Sequence, residues 1–245
     1  PKIYVGYNPK TDSLISGFAN LPDGYEHWII KFAADVDSED IANIELAYSK
    51  MALDSGIEMS ECRVFTSDSG NNYFGTKRFD RIGNNKLHML SAAGLLHDDY
   101  EHSTLDYGNL IFQAKKLTNN AQAAEQMFRR TVFNVLAHNR DDHSKNFAFL
   151  MDAEGVWSLA PAYDLTFSAS SQGYHSTACA GNYLDPGRKE LLELANDLSI
   201  NKAKAIINEL MGIIAHWSTY AELSRVSEDS IKTIETSMKT MRLRF

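Results

Sequence analysis

The chain has 245 residues, of which 44% are hydrophobic and 11% aromatic, so it is long enough to bury the core of one large domain or of two lobes. Its formal net charge of −8 argues against free-standing binding to nucleic acid. No run of about 18 apolar residues and no signal peptide is visible, so no membrane contact is predicted. The two cysteines, Cys62 and Cys179, are expected to be free thiols in a reducing, cytoplasmic compartment, with a single disulfide as the alternative.

The first third of the chain predicts a small sheet with one helix. Strands are predicted in the β-rich segments KIYVGY, HWIIKF and NNYFGTKRF, with turn residues in LPDGYE and SDSGNN. Between the second and third strands a helix is predicted, with Ser38 as its N-cap, Glu39 and Asp40 in its first turn, and Gly56 as its stop. Its apolar face carries Ile41, Ile44, Tyr48 and Ala52.

From about Asp80 the pattern becomes helical. The segment NAQAAEQMFRRTVFNVLAH has an apolar stripe that is typical of a buried helix. A hairpin is predicted from FAFLM, DAEG and VWSLA, and the stretch SASSQGYHSTACAGNY is predicted to be a loop. Further helices are expected to begin with Pro186 as the first helical residue, at Asn201, and at Ser227.

Together these patterns predict an α+β fold with two lobes. Residues 1–80 are expected to form the small mixed lobe and residues 81–245 the larger, mainly helical lobe, joined near residues 77–81. Because the chain opens with Pro1 rather than Met, a fragment or processed form is expected, with further sequence upstream.

A polar stretch, NRDDHSKN, lies between two apolar segments at residues 139–146. Within it Arg140, Asp141 and Asn146 have the R-D-x-x-x-x-N spacing of a protein-kinase catalytic loop. Phosphoryl transfer needs a carboxylate that orients the attacking hydroxyl and accepts its proton, and a nearby amide oxygen that binds Mg²⁺. We therefore predict Asp141 as the catalytic residue and Asn146 as a metal ligand.

A second metal ligand is predicted after the hairpin. Asp164, in APAYDLTF, lies 18 residues after Asn146. A hairpin returns the chain close to where it left, so Asp164 is expected to face Asn146 across one Mg²⁺. This ion prefers a few protein oxygens and completes its shell with phosphate and water.

The nucleotide is expected to bind in the small lobe. Lys31 lies in the strand HWIIKF, and Glu45 lies on the apolar stripe of the following helix, where a carboxylate is costly to bury unless it is paired. An ion pair between Lys31 and Glu45 would explain both residues and corresponds to the strand-lysine and helix-glutamate pair of kinases. Simpler interpretations stay open, namely a solvated Lys31 and a Glu45 that reaches solvent from the edge of the stripe.

The sequence resembles the HipA-like serine/threonine kinases, the toxins of bacterial toxin–antitoxin systems. The resemblance covers nearly the whole chain and rests on six segments: HWIIKF, IELAYSKMALDSGIEM, KRFDR, LHMLSAAGLL, NRDDHSKNFAFL and LAPAYDLTFS. It implies ATP and Mg²⁺ as cofactors, and a protein substrate, of which an aminoacyl-tRNA synthetase is the best-known type. It also implies a HipB-like DNA-binding antitoxin as partner.

The resemblance also implies a role for each matching residue. Asp141 would be the catalytic aspartate, and Asn146 and Asp164 would bind Mg²⁺. Lys31 would bind the phosphates of ATP, and the residues that would frame adenine and ribose are Lys77, Phe79 and Asp80. His143 and Lys145 match the family's D-x-H-x-K-N loop, and Lys145 would contact the γ-phosphate. The family's glycine-rich loop, which covers the phosphates, would come immediately before Pro1-Lys2, so residues 1–245 by themselves are expected to bind ATP weakly or to be inactive.

Other functions remain as alternatives. One is a small-molecule or lipid kinase, because similar D-x-H-x-x-N loops occur there, and another is a scaffold that binds ATP without turnover. A metallohydrolase would use His138, Asp141, Asp142 and His143 as ligands with help from His175, although such ligands normally come from several strands or one helix face.

Overall fold

The computed structural model describes residues 1–17, 20–34, 37–99, 102–170 and 173–245. The first third of the chain contains the strands β1 (Lys2–Asn8), β2 (Ser13–Ser16), β3 (Glu26–Lys31), β4 (Cys62–Thr66) and β5 (Asn72–Lys77). They form an antiparallel five-stranded sheet in the order β2-β1-β3-β5-β4. The three predicted strands are β1, β3 and β5, whereas the short strands β2 and β4 were not predicted. One face of this sheet has its own aromatic core, in which Trp28 and Tyr7 are buried.

Helix α1 (Ile41–Asp54) crosses the opposite face of the sheet. Its apolar side also belongs to the large core of the helical half, where the ring of Tyr48 lies 5.2 Å from that of Trp217. The predicted N-cap at Ser38 is wrong, because the helix begins at Ile41 with Asp40 at the N-cap position and no side-chain capping bond.

The side chain of Asp40 contacts a distant helix instead of capping α1. Its carboxylate accepts hydrogen bonds from Ser227 N at 2.8 Å and from Ser230 Oγ at 3.0 Å, at the beginning of helix α8 (Glu228–Arg242). Although burial opposes it, the hydrogen bonds from Ser227 hold the pKa of Asp40 below its usual value. The side chain therefore stabilises the N-terminus of α8 rather than that of α1.

Replacing Asp40 with asparagine is expected to lower the free energy of unfolding by about 1 kcal/mol or less, since the carboxylate is partly exposed. The pKa of Asp40 is lower in the folded state than in the unfolded state, where it is about 3.9. The hydrogen bonds of the charged carboxylate therefore contribute their full stability above about pH 3.9. This stability is lost as the pH falls through the folded-state pKa. Urea titrations of both proteins at pH 7 and pH 3 test this: the difference should shrink at pH 3. An equal difference at both pH values would contradict it.

The residues directly after the first sheet form strands, not helix, so the predicted helical character of residues 81–91 is wrong. Strands β6 (Arg81–Ile82) and β7 (Asn85–Lys86) form a small hairpin. Strand β8 (His88–Ser91) then pairs with the first strand of the predicted hairpin, which is present as β9 (Ala148–Met151) and β10 (Trp157–Leu159). The sequence of a segment as short as His88–Ser91 cannot distinguish a strand from a helix. Here the segment is a strand because it pairs with β9, about 60 residues away.

Most of the remaining elements are α-helices. They are α2 (Ala92–Leu96), α3 (Tyr107–Thr118), α4 (Ala121–Leu136), α5 (Arg188–Asp197), α6 (Ala203–Ile214), α7 (Trp217–Leu223) and α8 (Glu228–Arg242). The predicted start of α8 at Ser227 is confirmed, since Ser227 Oγ accepts from Ser230 N. Within the described part of the chain, no helix is both long and apolar enough to cross a bilayer.

Two helices begin two residues later than predicted. Helix α5 starts at Arg188 with Gly187 as N-cap, so Pro186 is not its first helical residue. Gly187 is needed there because a Cβ atom would lie 2.8 Å from the carbonyl oxygen of Arg244, and its N–H donates to Glu190 Oε2. Likewise α6 begins at Ala203 rather than at Asn201.

Candidate active site

Two adjoining cavities lie in the cleft between the five-stranded sheet and the catalytic-loop region. The first, of about 210 Å³, is mostly apolar and has Ile29, Phe79 and Leu165 among its walls. The second, of about 460 Å³, is more polar and includes Asp141 in its lining. Lys31 and Glu45 line both cavities, so they mark the point where the two meet.

Lys31 lies between two carboxylates at this junction. Its Nζ is 2.6 Å from Glu45 Oε2 and also forms an ion pair with Asp164. The predicted Lys31–Glu45 pair is therefore present, and the solvated interpretation of Lys31 is wrong. The contact with Asp164 was not predicted.

These charges stabilise one another electrostatically. Burial would lower the pKa of Lys31, but Glu45 and Asp164 together raise it above its usual value, so the lysine stays protonated. Burial raises the pKa of Glu45 despite the opposing effect of Lys31. Burial also opposes ionisation of Asp164, yet Lys31 holds the pKa of that carboxyl below its usual value.

The predicted catalytic loop leaves the end of α4 and stays beside the second cavity. His138 adopts a left-handed backbone (φ 56°), and a short 3₁₀ helix then covers Ser144–Asn146. Asn146 Nδ2 donates to the carbonyl oxygen of Asp141 at 2.8 Å, which leaves its amide oxygen as an acceptor. The side chain of Asn146 is thus hydrogen bonded to the backbone of Asp141, and the roles predicted for the two residues stay predictions.

The carboxylate of Asp141 is 61% exposed and lies 3.6 Å from His143 Nε2. Partial burial and the charge of Asp164 raise the pKa of Asp141, while His143 opposes the shift. An accessible carboxylate with a raised pKa has the chemistry of a general base. Lys145 lies in the same loop, and its carbonyl oxygen accepts from Tyr163 Oη at 2.6 Å.

The segment between β5 and β6 lines the first cavity, where the hinge was predicted. Lys77 Nζ is paired with Glu26 Oε1 at 2.7 Å. The carboxylate of Asp80 is bound by Arg78, at 2.8 and 2.7 Å, and by Arg81. The ring of Phe79 lies 5.5 Å from that of Tyr163, so these two rings form one apolar wall of the cavity.

Several residues that shape the site were not predicted. Tyr163 connects the cavity wall to the catalytic loop. It precedes Asp164, which has a left-handed backbone (φ 53°). Arg130, buried in α4, donates to the carbonyl oxygen of Ala160 at 2.7 Å, and burial lowers its pKa to about 10. Tyr163 could have been predicted as a site residue, because it is adjacent to Asp164 in the sequence. Arg130 could not, because an arginine within an apolar helix gives no indication of the residue that it binds.

The structure does not bring together the ligands of a metallohydrolase. Asp142 is buried against His175 and Tyr107, away from the exposed carboxylate of Asp141. Among the described residues no group of three or more His, Cys, Asp or Glu side chains could hold a metal ion. The described residues therefore do not assemble the ligand set of the metallohydrolase interpretation. Asp164 and Asn146 stay predictions as Mg²⁺ ligands: they offer a carboxylate and an amide oxygen, which are donors of the type that Mg²⁺ prefers.

A sheet lobe with a lysine–glutamate pair, followed by a helical half with the Asp141–Asn146 loop and Asp164, defines a two-lobed protein-kinase-like α+β fold. The chain belongs to the HipA-like C-terminal domain family, whose sequence model matches residues 1–217. The predicted family resemblance and fold class are thus confirmed. No curated protein sequence matches the chain.

Two solved structures share this fold. One is a chain in the Shewanella oneidensis MR-1 toxin–antitoxin complex of HipA, HipB and operator DNA, with a TM-score of 0.73 and 18% identity over 98% of this chain. The match covers 61% of the Shewanella chain, so the present sequence spans less than two thirds of that protein. The other is the Helicobacter pylori proinflammatory kinase CtkA, with a TM-score of 0.58 and 13% identity over 90% of this chain and 88% of that one.

Proposed function

We propose that the chain is the catalytic part of a HipA-like serine/threonine protein kinase, which transfers the γ-phosphate of ATP to a protein hydroxyl. The observation that carries this proposal is the meeting of the two cavities at Lys31 and Glu45. A nucleotide with its base in the apolar cavity directs its phosphates past Lys31 into the polar cavity, where Asp141 lies.

Each group at the cleft then has a defined task. Phe79 and Tyr163 enclose the base, beside Lys77 and Asp80 of the hinge. Glu45 orients Lys31, which contacts the α- and β-phosphates. Asp164 and Asn146 would hold Mg²⁺, which neutralises charge on the phosphates when it is bound.

Asp141 acts on the acceptor. It orients the serine or threonine hydroxyl and takes its proton as the oxygen attacks the γ-phosphorus and ADP leaves. Lys145 provides positive charge and His143, 3.6 Å from Asp141, provides a hydrogen-bond donor beside the transferred phosphate.

The family and the fold also suggest partners. The Shewanella relative occurs in a complex with HipB and operator DNA. We therefore propose a HipB-like DNA-binding antitoxin as partner, a cytoplasmic location in a bacterium, and a protein target such as an aminoacyl-tRNA synthetase, whose phosphorylation arrests growth. The net charge of −8 fits a protein that reaches DNA only through such a partner.

Labelled ATP tests the proposed reaction directly. The full-length gene product is incubated with γ-labelled ATP, Mg²⁺ and bacterial cell extract, and labelled proteins are analysed for phosphoserine and phosphothreonine. Labelled protein bands that require the enzyme support the proposal. Label found only in small molecules or lipids would replace it with the small-molecule kinase, and nucleotide binding without any transfer would replace it with the inactive scaffold.

A further inference from the structure

Asp142, beside the predicted catalytic residue, has no task in the proposed reaction. The side chain of Asp142 is fully buried, although that of the preceding Asp141 is 61% exposed. A buried carboxylate is costly unless donors satisfy both of its oxygens. The contacts around Asp142 therefore indicate what its burial achieves.

Four donors surround the carboxylate of Asp142. Its Oδ2 accepts from Tyr107 Oη at 2.6 Å and from His175 Nδ1 at 2.7 Å. Its Oδ1 accepts from the backbone N–H groups of Ser176, at 2.7 Å, and Thr177, at 3.3 Å. Burial and the nearby charge of Asp142 raise the pKa of Tyr107, so its hydroxyl stays protonated and donates.

The donor from Tyr107 is itself fixed by a buried amide chain. Asn134 Nδ2, on α4, donates to Tyr107 Oη at 2.9 Å, and Asn139 Nδ2 donates to Asn134 Oδ1 at 3.0 Å. Asn139 lies two residues before Asp141. The network therefore connects α3 and α4 to the catalytic loop on both sides of Asp141.

The same loop is hydrogen bonded to both ends of segment 168–177, of which the structure does not describe residues 171–172. At one end Ser168 N donates to the carbonyl of His138, and Arg140 N donates to the carbonyl of Ser168, both at 3.1 Å. At the other end Thr177 Oγ1 donates to the carbonyl of Asp142 at 2.6 Å. The side chain and the backbone of Asp142 thus both bind residues 175–177.

We propose that Asp142 is a positioning residue, whose carboxylate, held by Tyr107 and His175, fixes the catalytic loop against residues 175–177 so that Asp141 faces the acceptor hydroxyl. The inference rests on the proposed kinase function and deepens it. It assigns to Tyr107 and His175 a contribution to turnover, although neither lines the two cavities of the cleft.

Three variants test the positioning role. His175→Ala and Tyr107→Phe each remove one donor to Asp142 and are expected to lower kcat about 10-fold or more, because small displacements of a catalytic group are costly. His175→Asn places an amide donor near the position of Nδ1 and should recover most of kcat. The Kd for ATP should stay within about twofold of wild type in all three, because Lys31 and the cavity walls are untouched.

Matched controls separate positioning from general loss of stability. Tyr220→Phe also removes a tyrosine–aspartate hydrogen bond, of 2.6 Å to Asp54, and His216→Ala removes an exposed histidine. Both should retain wild-type kcat. The positioning role is overturned if His175→Ala and Tyr107→Phe keep kcat within twofold of wild type, or if His175→Asn is as slow as His175→Ala.

Amide hydrogen exchange distinguishes a failure of this inference from a failure of the proposed function. In the wild-type protein the N–H groups of Ser176 and Thr177 should exchange slowly, and Tyr107→Phe should speed their exchange. If wild type shows no phosphoryl transfer but this pattern holds, the kinase proposal fails while the contact of Asp142 with segment 168–177 stands. Fast exchange of both amides in wild type would overturn the fixed geometry itself.

Discussion

Replacing Asp141 with asparagine is expected to reduce phosphoryl transfer by a factor of about 10² or more while leaving ATP binding nearly unchanged. An amide keeps the size of the carboxylate and can still hydrogen bond the acceptor, but it cannot take the proton. The side chain is 61% exposed, so its loss should leave the fold intact. Rates are measured with γ-labelled ATP on the full-length protein, and nucleotide Kd by titration of a fluorescent ATP analogue.

The matched control is Asp23→Asn, the same change in an exposed turn that lines neither cavity of the cleft. It should transfer phosphate at the wild-type rate. A wild-type rate in Asp141→Asn would exclude this residue as the general base. A 100-fold weaker ATP affinity in that variant would instead assign Asp141 to nucleotide binding.

Replacing Lys31 with methionine is expected to abolish detectable transfer and also to destabilise the protein. The change removes the cation that Glu45 and Asp164 share and leaves a buried glutamate without its partner. Breaking a buried ion pair by removing one partner costs about 3–5 kcal/mol. We expect a loss of stability near the lower end of this range, because the Lys31 side chain is 24% exposed. Urea unfolding measures the stability and a fluorescent ATP analogue the affinity.

A second substitution separates the two effects of Lys31. In the double variant Lys31→Met, Glu45→Leu the uncompensated glutamate is gone, so most of the lost stability should return, whereas ATP binding and transfer should not. Lys77→Met is the stability control, since it removes a strand lysine whose partner, Glu26, is only partly buried, and should cost under about 1 kcal/mol. Equal losses of stability in Lys31→Met and Lys77→Met would contradict the importance of the buried pair.

The single variant Glu45→Gln tests the orienting role of the glutamate. It keeps a hydrogen-bond acceptor near Lys31 but removes the negative charge, so ATP affinity should fall while the fold is retained. Unchanged ATP affinity would show that Asp164 alone orients Lys31.

Much of the candidate site could be predicted because its contacts follow from short spacings. A strand followed by a helix brings Lys31 near Glu45, and a loop of six residues holds Asp141 beside Asn146. The hairpin β9–β10 could be predicted from its turn, and it returns the chain toward the loop before Asp164.

The rest depends on contacts between distant parts of the chain, which spacing does not determine. Lys31 and Asp164 are 133 residues apart, and Asp40 is 187 residues from Ser227. The sequence of β8 is equally compatible with a helix, and only its pairing with β9 makes it a strand. Asp141 and Asp142 are adjacent and identical in the sequence, so the sequence does not show which of them is buried. Asp142 is the buried one because Tyr107 and His175 pack beside it.

Helix α1 packs against the sheet, yet most of its polar contacts lead to the helical half. Tyr48 Oη donates to the carbonyl of Ala137 at 2.6 Å, and Asp40 caps α8. Glu45 is therefore held by the same half of the molecule that carries Asp141, whereas Lys31 belongs to the sheet. The 2.6 Å contact between Lys31 and Glu45 thus joins the sheet to a helix that also packs against the helical half. We infer that a change in the packing of α1 against the helical half would move Glu45 relative to Lys31 and so alter the orientation of the lysine.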